Sequence, residues 1–274
     1  MPDAKKIILC SDDFAQNSAI SKGILNLVEH QRLSAVSCFT DSPLWEQYGA
    51  ELSGHRNEID MGLHVNLIHD FGYYNRPLGY WLARSLTARL PREEIRESLH
   101  RQLSEFVRVT GRVPDFIDGH QHVHIFPGVR RVFFEYLVSK NLPHAPWVRS
   151  VTPMIPGGDD RVKSLVIRLL ATGWRSAIKD CCQTNTTFAG VYSLKGEQNY
   201  PALFKQWLAG SESGGLIMCH PGLESDDGQD AIRGARVVEY RFFQSDRFSA
   251  MCRELNVTIA RFSRQAGVSG PLFN

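Results

Sequence analysis

The sequence predicts an α/β protein whose parallel strands close into a (β/α) barrel, in a single domain over residues 1–274. Two observations carry that reading. Short apolar runs alternate with stretches of helical periodicity along the whole chain, which implies βαβ units and a parallel sheet. Polar clusters follow at least four of the predicted strands. An open, doubly wound sheet would satisfy the alternation equally, but a barrel gathers all strand ends around one mouth. The length of 274 residues and the 43% hydrophobic content suit one barrel, since such domains run to about 250 residues.

In order, Ile7–Cys10 is a compact buried strand, followed by the polar Ser11–Ser18 and a helix presenting Ile20, Ile24, Leu27 and Val28 on one face. Ala35–Phe39 predicts the second strand, Leu44–Leu52 a helix and Ile59–Leu67 the third strand. The aromatic-rich connection Ile68–Leu86 exceeds ordinary loop lengths and reads as a binding loop or lid. Its aromatics and Trp45 are candidates for stacking on a ligand, with ordinary packing the plainer reading. Pro91 opens the clearest helix, with Glu93 and Glu94 in its first turn, Ile95, Leu99, Leu103 and Phe106 at helical spacing, and Gly111 to stop it. Phe116–Ile125 and Trp147–Val151 read as strands around a helix from Pro127 to Val138. Val162–Ala177 and Pro201–Leu208 read as helices, Leu216–Cys219 as a strand, Val237–Leu255 as one long helix and Val257–Phe262 as the last strand.

The 31 Lys and Arg nearly balance the 29 Asp and Glu, a formal charge of +2. Nucleic acid and membrane surfaces are therefore not expected partners, because both select a strong basic excess. The six cysteines (Cys10, Cys38, Cys181, Cys182, Cys219 and Cys252) are too irregular for a disulfide framework and read as free thiols. Neither a signal-peptide apolar core nor a transmembrane run is visible, so a cytoplasmic protein is expected.

Chemistry concentrates in four places. In Asp118-Gly119-His120-Gln121-His122-Val123-His124, a continuous strand would place Asp118, His120, His122 and His124 on one face. Lining polar groups along a buried face is costly unless they coordinate or hydrogen-bond something, so one or two of these imidazoles are candidate metal ligands. Asp12 and Asp13 are adjacent carboxylates at a strand end. Taken alone they read as the cap of the next helix; at a barrel mouth one would bind a cation and the other act as a base. His64, inside the strand Met61–Leu67, would complete with Asp13 and one histidine of the 118–124 run an Asp-His-His set, leaving a coordination position for water. His220 ends a buried strand and could donate a proton to a leaving group. Asp118 could orient an imidazole. Arg149 could bind Asp12 or substrate, or be a surface cation.

The order Ser11-Asp12-Asp13-Phe14, Gly62 to Leu67, Asp118 to His124 and Met218 to Gly222 resembles the YdjC-like, or ChbG/HpnK-type, carbohydrate deacetylases over residues 5 to about 225. The resemblance implies a distorted TIM-like barrel that uses one divalent metal ion, Zn2+ or Mg2+, to remove the acetyl group from an N-acetylated sugar of the N-acetylglucosamine type. It further implies Asp13, His64 and His120 as metal ligands, Asp12 as general base and His220 as general acid; Asp118, His122, His124 and Arg149 are read from the sequence itself as residues that bind substrate or support these groups. The implied partner is a small acetylated sugar, and a homodimer is allowed for. Two departures from the family pattern stand out: Ala15 stands where glycine is usual, and Gly119 and Gln121 interrupt the more frequent Asp-Ser-His-His-His-Val-His. Another metal-dependent hydrolase, such as a phosphoesterase or cyclic-amide hydrolase, and a non-catalytic metal- or sugar-binding protein are the alternatives.

Overall fold

The computed structural model describes residues 3–140, 142–178 and 182–265; Cys181, and with it that part of the free-thiol reading, lies outside them. Eight strands form one parallel sheet: β1 (Lys5–Phe14), β2 (Ala35–Cys38), β3 (Asp60–Val65), β4 (Phe116–Gly119), β5 (Trp147–Val148), β6 (Phe188–Ala189), β7 (Gly215–Cys219) and β8 (Val257–Ile259). The spatial order is β5-β4-β3-β2-β1-β7-β6, and β8 pairs with the first residues of β1. The sheet curls into a distorted barrel, and irregular bonds bridge its two edges. The Val148 N–H donates to the Gln183 carbonyl at 2.9 Å, and Pro153 and Ile155 bond to Phe188 at 2.9 and 2.8 Å.

Strands β2, β3, β4 and β7 are buried at every position, as is β1 from Ile7 onward. This is the pattern of parallel strands covered on both faces, and it explains why their sequences are apolar runs. Helices cover the outside. The helix Ser18–Glu29 is capped by Asn17, whose side chain accepts from the Ile20 N–H, so capping does not explain Asp12 and Asp13. The helix Arg92–Thr110 ends at Gly111, which has φ +71°, a conformation glycine adopts without steric cost.

Six elements differ from the sequence expectation, among them the last strand, which stops at Ile259 while Phe262 begins a short helix. The 68–86 connection is not a loop throughout: Leu78–Leu86 is a helix, and Trp81 is buried with its Nε1–H donating to the Leu67 carbonyl at 2.7 Å. The predicted 162–177 helix breaks at Gly173 (φ +74°) into Arg161–Leu170 and Trp174–Ile178. The predicted 237–255 helix is two, Arg233–Gln244 and Asp246–Glu254, separated by extended Ser245. β5 stops at Val148. The predicted strand 116–125 ends at Gly119, and His120–Ile125 form a tight 3-10 turn with Gln121 and His122 at φ 49° and 60°. That turn removes the alternation that would have put four polar side chains on one face. Among the described residues no helix is long and apolar enough to cross a membrane.

Candidate active site

The C-terminal ends of β1, β3, β4 and β7 converge on one cavity of 550 Å³. Its floor is polar, made by Asp12, Asp13, His64, His120, His122 and His220, and its wall includes Leu78 and Leu82 of one helix and Ile167 and Leu170 of another. A second cavity, of 610 Å³, lies beside the helix Arg161–Leu170 and shares no residue with the first.

The end of β1 is deformed where the chemistry sits. Asp13 and Ala15 have φ 65° and 71°, and the pairing of β1 with β2 slips by one residue between Ser11 and Phe14, as at a β-bulge. The distortion sends two adjacent carboxylates to different partners. Asp12 receives both terminal nitrogens of Arg149, Nη1 to Oδ2 at 2.7 Å and Nη2 to Oδ1 at 2.5 Å. Arg149 is fully buried and also pairs with Asp118 Oδ2 at 2.5 Å. Burial opposes its charge, but the two carboxylates raise its pKa well above the ordinary value. It is a buried anchor of Asp12, not a surface cation.

Asp13 Oδ1 faces His64 Nε2 at 3.5 Å and His120 Nδ1 at 3.1 Å, while Oδ2 accepts from Arg236 Nη2 at 2.9 Å. Burial would raise the Asp13 pKa, but the Arg236 charge and hydrogen bonds from His120 and His64 hold it well below the usual carboxylate range. His64 Nδ1 donates to Asp118 Oδ1 at 2.6 Å, an oxygen that also accepts from the Ser37 hydroxyl at 2.6 Å. Against burial, the charge and hydrogen bond of Asp118 push His64 up to about 10. Phe39 packs on both imidazoles, with ring centroids 4.9 Å from His64 and 5.0 Å from His120.

Asp13, His64 and His120 each present one donor atom within 4.8 Å of the others. The set fits a cation on the molecule's own chemistry: Asp118 holds the His64 Nδ1 proton, so Nε2, which points at Asp13, is the nitrogen whose proton a cation would displace, the carboxylate–histidine arrangement of metal sites. Among the described residues, the buried carboxylates Asp12, Asp13, Asp118 and Asp230 pair with two guanidiniums, Arg149 and Arg236. Cys10, Asp12 and Asp118 also lie close together, but Arg149 bonds to all three.

The remaining predicted residues are spread by the 120–125 turn. His122 reaches the cavity; burial lowers its pKa well below the ordinary value. His124 turns away, donating Nε2–H to the Arg149 carbonyl at 3.1 Å and packing edge-on against Trp174, so it props Arg149 from behind. His220 lines the cavity, and burial lowers it to about 4. Its backbone N–H donates to Glu239 Oε2 at 2.5 Å. Of the proposed stacking aromatics, Trp45 and Trp81 are buried in the core, and His69 enters the site instead, stacked on Phe71 at 3.9 Å. Arg236, Asp230 and Glu239 were missed from sequence. The available signal was a pair of opposite charges three residues apart on a helix face otherwise carrying Ala235, Phe242 and Phe243.

The molecule is thus a curled parallel α/β barrel with a carboxylate–imidazole cluster at the mouth of its strands. It belongs to the YdjC-like protein family, whose model matches residues 6–254. A chitooligosaccharide deacetylase of Serratia marcescens is 28% identical over 272 residues, covering 94% of this chain and 98% of that protein. A carbohydrate deacetylase of Mus musculus is 34% identical over 149 residues, 48% of this chain and 47% of that one. In three dimensions the chain is similar to an Enterococcus faecalis protein described as a candidate cellobiose-phosphate cleavage protein, with a TM-score of 0.71 at 18% identity, over 96% of this chain and all of that one. That likeness concerns the fold.

Proposed function

We propose that this chain is a carbohydrate N-deacetylase that hydrolyses the acetamide of an N-acetylglucosamine-type sugar. The observation that carries this reading is the separation of Asp12 from Asp13: neighbours in sequence, one is clamped by an arginine beside the cavity and the other opens one oxygen toward two imidazoles. Asp13, His64 and His120 would hold a divalent ion, which would polarise the acetamide carbonyl and acidify a neighbouring water. Two imidazoles favour zinc, while the carboxylate and the water-accessible cavity also admit magnesium.

Asp12, oriented by Arg149, takes the proton of the attacking water. His220 delivers a proton to the departing amine. Burial keeps its ring neutral at rest, so during turnover it takes up, by way of solvent, the proton that Asp12 removed from the water and passes it to the amine. The relatives named as deacetylases of chitooligosaccharide and carbohydrate support the substrate class.

The test is acetate release from N-acetylated chitooligosaccharides by protein stripped with a chelator and reloaded with Zn2+ or Mg2+. Asp12→Asn is expected to keep the ion and lose turnover by about 10²–10⁴-fold, the range for a general base. Asp13→Asn is expected to lose the ion itself. Acetate release that ignores the chelator, or phosphate release from a simple phosphoester without any acetate release, would overturn the reading.

A further inference from the structure

The helix Arg233–Gln244 carries none of the motifs read from the sequence, yet it sends two buried charged side chains into the site. Arg236 bonds through Nε to Asp230 Oδ2 at 2.8 Å and through Nη2 to Asp13 Oδ2 at 2.9 Å. Glu239, fully buried, accepts the Tyr192 hydroxyl on Oε1 and the His220 backbone N–H on Oε2, each at 2.5 Å. The three-residue spacing puts both on one helix face. Burying two opposite charges there is costly unless each is held by fixed partners.

Each contact constrains one proposed functional group. A carboxylate whose two oxygens are both free can turn between binding a cation through one or through both. With Oδ2 of Asp13 held by Arg236, and Arg236 itself held by Asp230, only Oδ1 is left for His64, His120 and an ion. For His220, ring Nδ1 has no hydrogen-bond partner, so the ring inherits its placement from the backbone that Glu239 fixes at the end of β7. We propose that Arg236 and Glu239 are positioning residues with separable tasks: Arg236 sets the donor oxygen of Asp13, and Glu239 sets the backbone from which His220 reaches the substrate. This rests on the roles given above to Asp13 and His220.

The test compares Arg236→Met, Glu239→Leu and Glu239→Gln in the full-length protein. Affinity is measured for Zn2+ alone by chelator competition, and kcat and KM by acetate release from a chitooligosaccharide. Arg236→Met is expected to weaken Zn2+ binding by about 10–100-fold, as loss of a ligand's outer partner does. Glu239→Leu should leave Zn2+ affinity unchanged and lower kcat about 10-fold or more at constant KM, the signature of an interaction used in the reaction step. Glu239→Gln, which can still accept the His220 N–H, should restore most of kcat. If Arg236→Met does not fold, Arg236→Lys takes its place, because it keeps the charge but lacks the fork that spans Asp13 and Asp230. A folded Arg236 variant with wild-type Zn2+ affinity overturns the proposal, as does a Glu239→Leu variant that loses affinity and kcat together. Wild-type protein that binds no Zn2+ and releases no acetate overturns the reading of the site first, and this inference with it.

Discussion

Two buried clusters of the same composition, an arginine between two aspartates, flank the floor of the cavity. In one, Arg149 lies between Asp12 and Asp118; in the other, Arg236 lies between Asp13 and Asp230. They differ in the oxygens they leave open. Arg149 bonds to both oxygens of Asp12, whereas Arg236 bonds to one oxygen of Asp13, and the other faces two imidazoles. Identical residue types at adjacent positions therefore acquire different chemistry from the geometry of their counter-ions. An anion clamped at both oxygens is fixed in place and still has lone pairs for a proton; one clamped at a single oxygen retains a directed donor for a cation.

The largest effect that tests this comparison comes from removing each arginine in turn. Arg149→Met leaves Asp12 and Asp118 buried without their guanidinium, and breaking such a cluster costs about 3–5 kcal/mol. Denaturant unfolding should show that loss with or without Zn2+. Arg236→Met also strips a counter-ion, and in addition it frees the second oxygen of Asp13, the residue proposed to bind the cation. Binding to the folded state stabilises by RT ln(1 + [Zn2+]/Kd). The Kd of Arg236→Met, weaker by about 10–100-fold, should therefore give it about 1.4–2.7 kcal/mol less Zn2+-dependent stabilisation than Arg149→Met, in which Asp13, His64 and His120 are intact. Equal stabilisation of both variants by Zn2+ would dissolve the distinction between the clusters.

Much of this arrangement was legible in the sequence, and the exceptions have physical causes. The apolar runs at residues 7–10, 35–39, 59–67 and 216–219 are strands because parallel strands buried on both faces must be apolar, and the polar residues that follow them collect at one mouth. His64 is legible for the same reason, since it sits in a regular strand where period two holds. The 118–124 run is not: chain direction there is set by left-handed Gln121 and His122. Gly119 lets the turn fold back, because a Cβ at that position would come within 3.1 Å of the His124 backbone and ring. Alternation therefore fails one residue past Gly119, and His124 ends behind Arg149, not beside His120. Arg236 and Glu239 were hidden by a different cause, because charged residues on a helix read as its solvent face until packing shows otherwise.

His124 gives the next test, since it holds the carbonyl of Arg149. Burial lowers its pKa to about 4, against an ordinary 6.5. Between those values the unfolded chain takes up a proton that the folded imidazole refuses, so stability falls as pH drops from 6.5 to 4, by about 3 kcal/mol at full extent. His124→Gln keeps an N–H donor for the Arg149 carbonyl and cannot titrate. Its unfolding free energy should fall less steeply over that window, with His122 and His220, both also lowered by burial, accounting for a remaining slope. An unchanged slope would mean that burial does not hold His124 neutral in the folded protein.

The smallest effect concerns the bulge that separates the two clusters. Ala15 is fully buried at φ 71°, a conformation that costs a residue with a Cβ about 1–2 kcal/mol. It is held there by its own backbone, whose N–H donates to the Ser21 hydroxyl at 3.1 Å and whose carbonyl accepts from the Ser42 hydroxyl at 2.5 Å. Ala15→Gly keeps both bonds and removes the steric cost, while the freer unfolded chain returns part of the gain. A net stabilisation of about 1 kcal/mol is expected, read as a rise in Tm of roughly 2 °C, with Zn2+ affinity unchanged. If Ala15→Gly destabilises the protein, the left-handed turn is not what sets Asp12 and Asp13 apart, and the division of the two carboxylates between Arg149 and Arg236 must be imposed by the arginines alone.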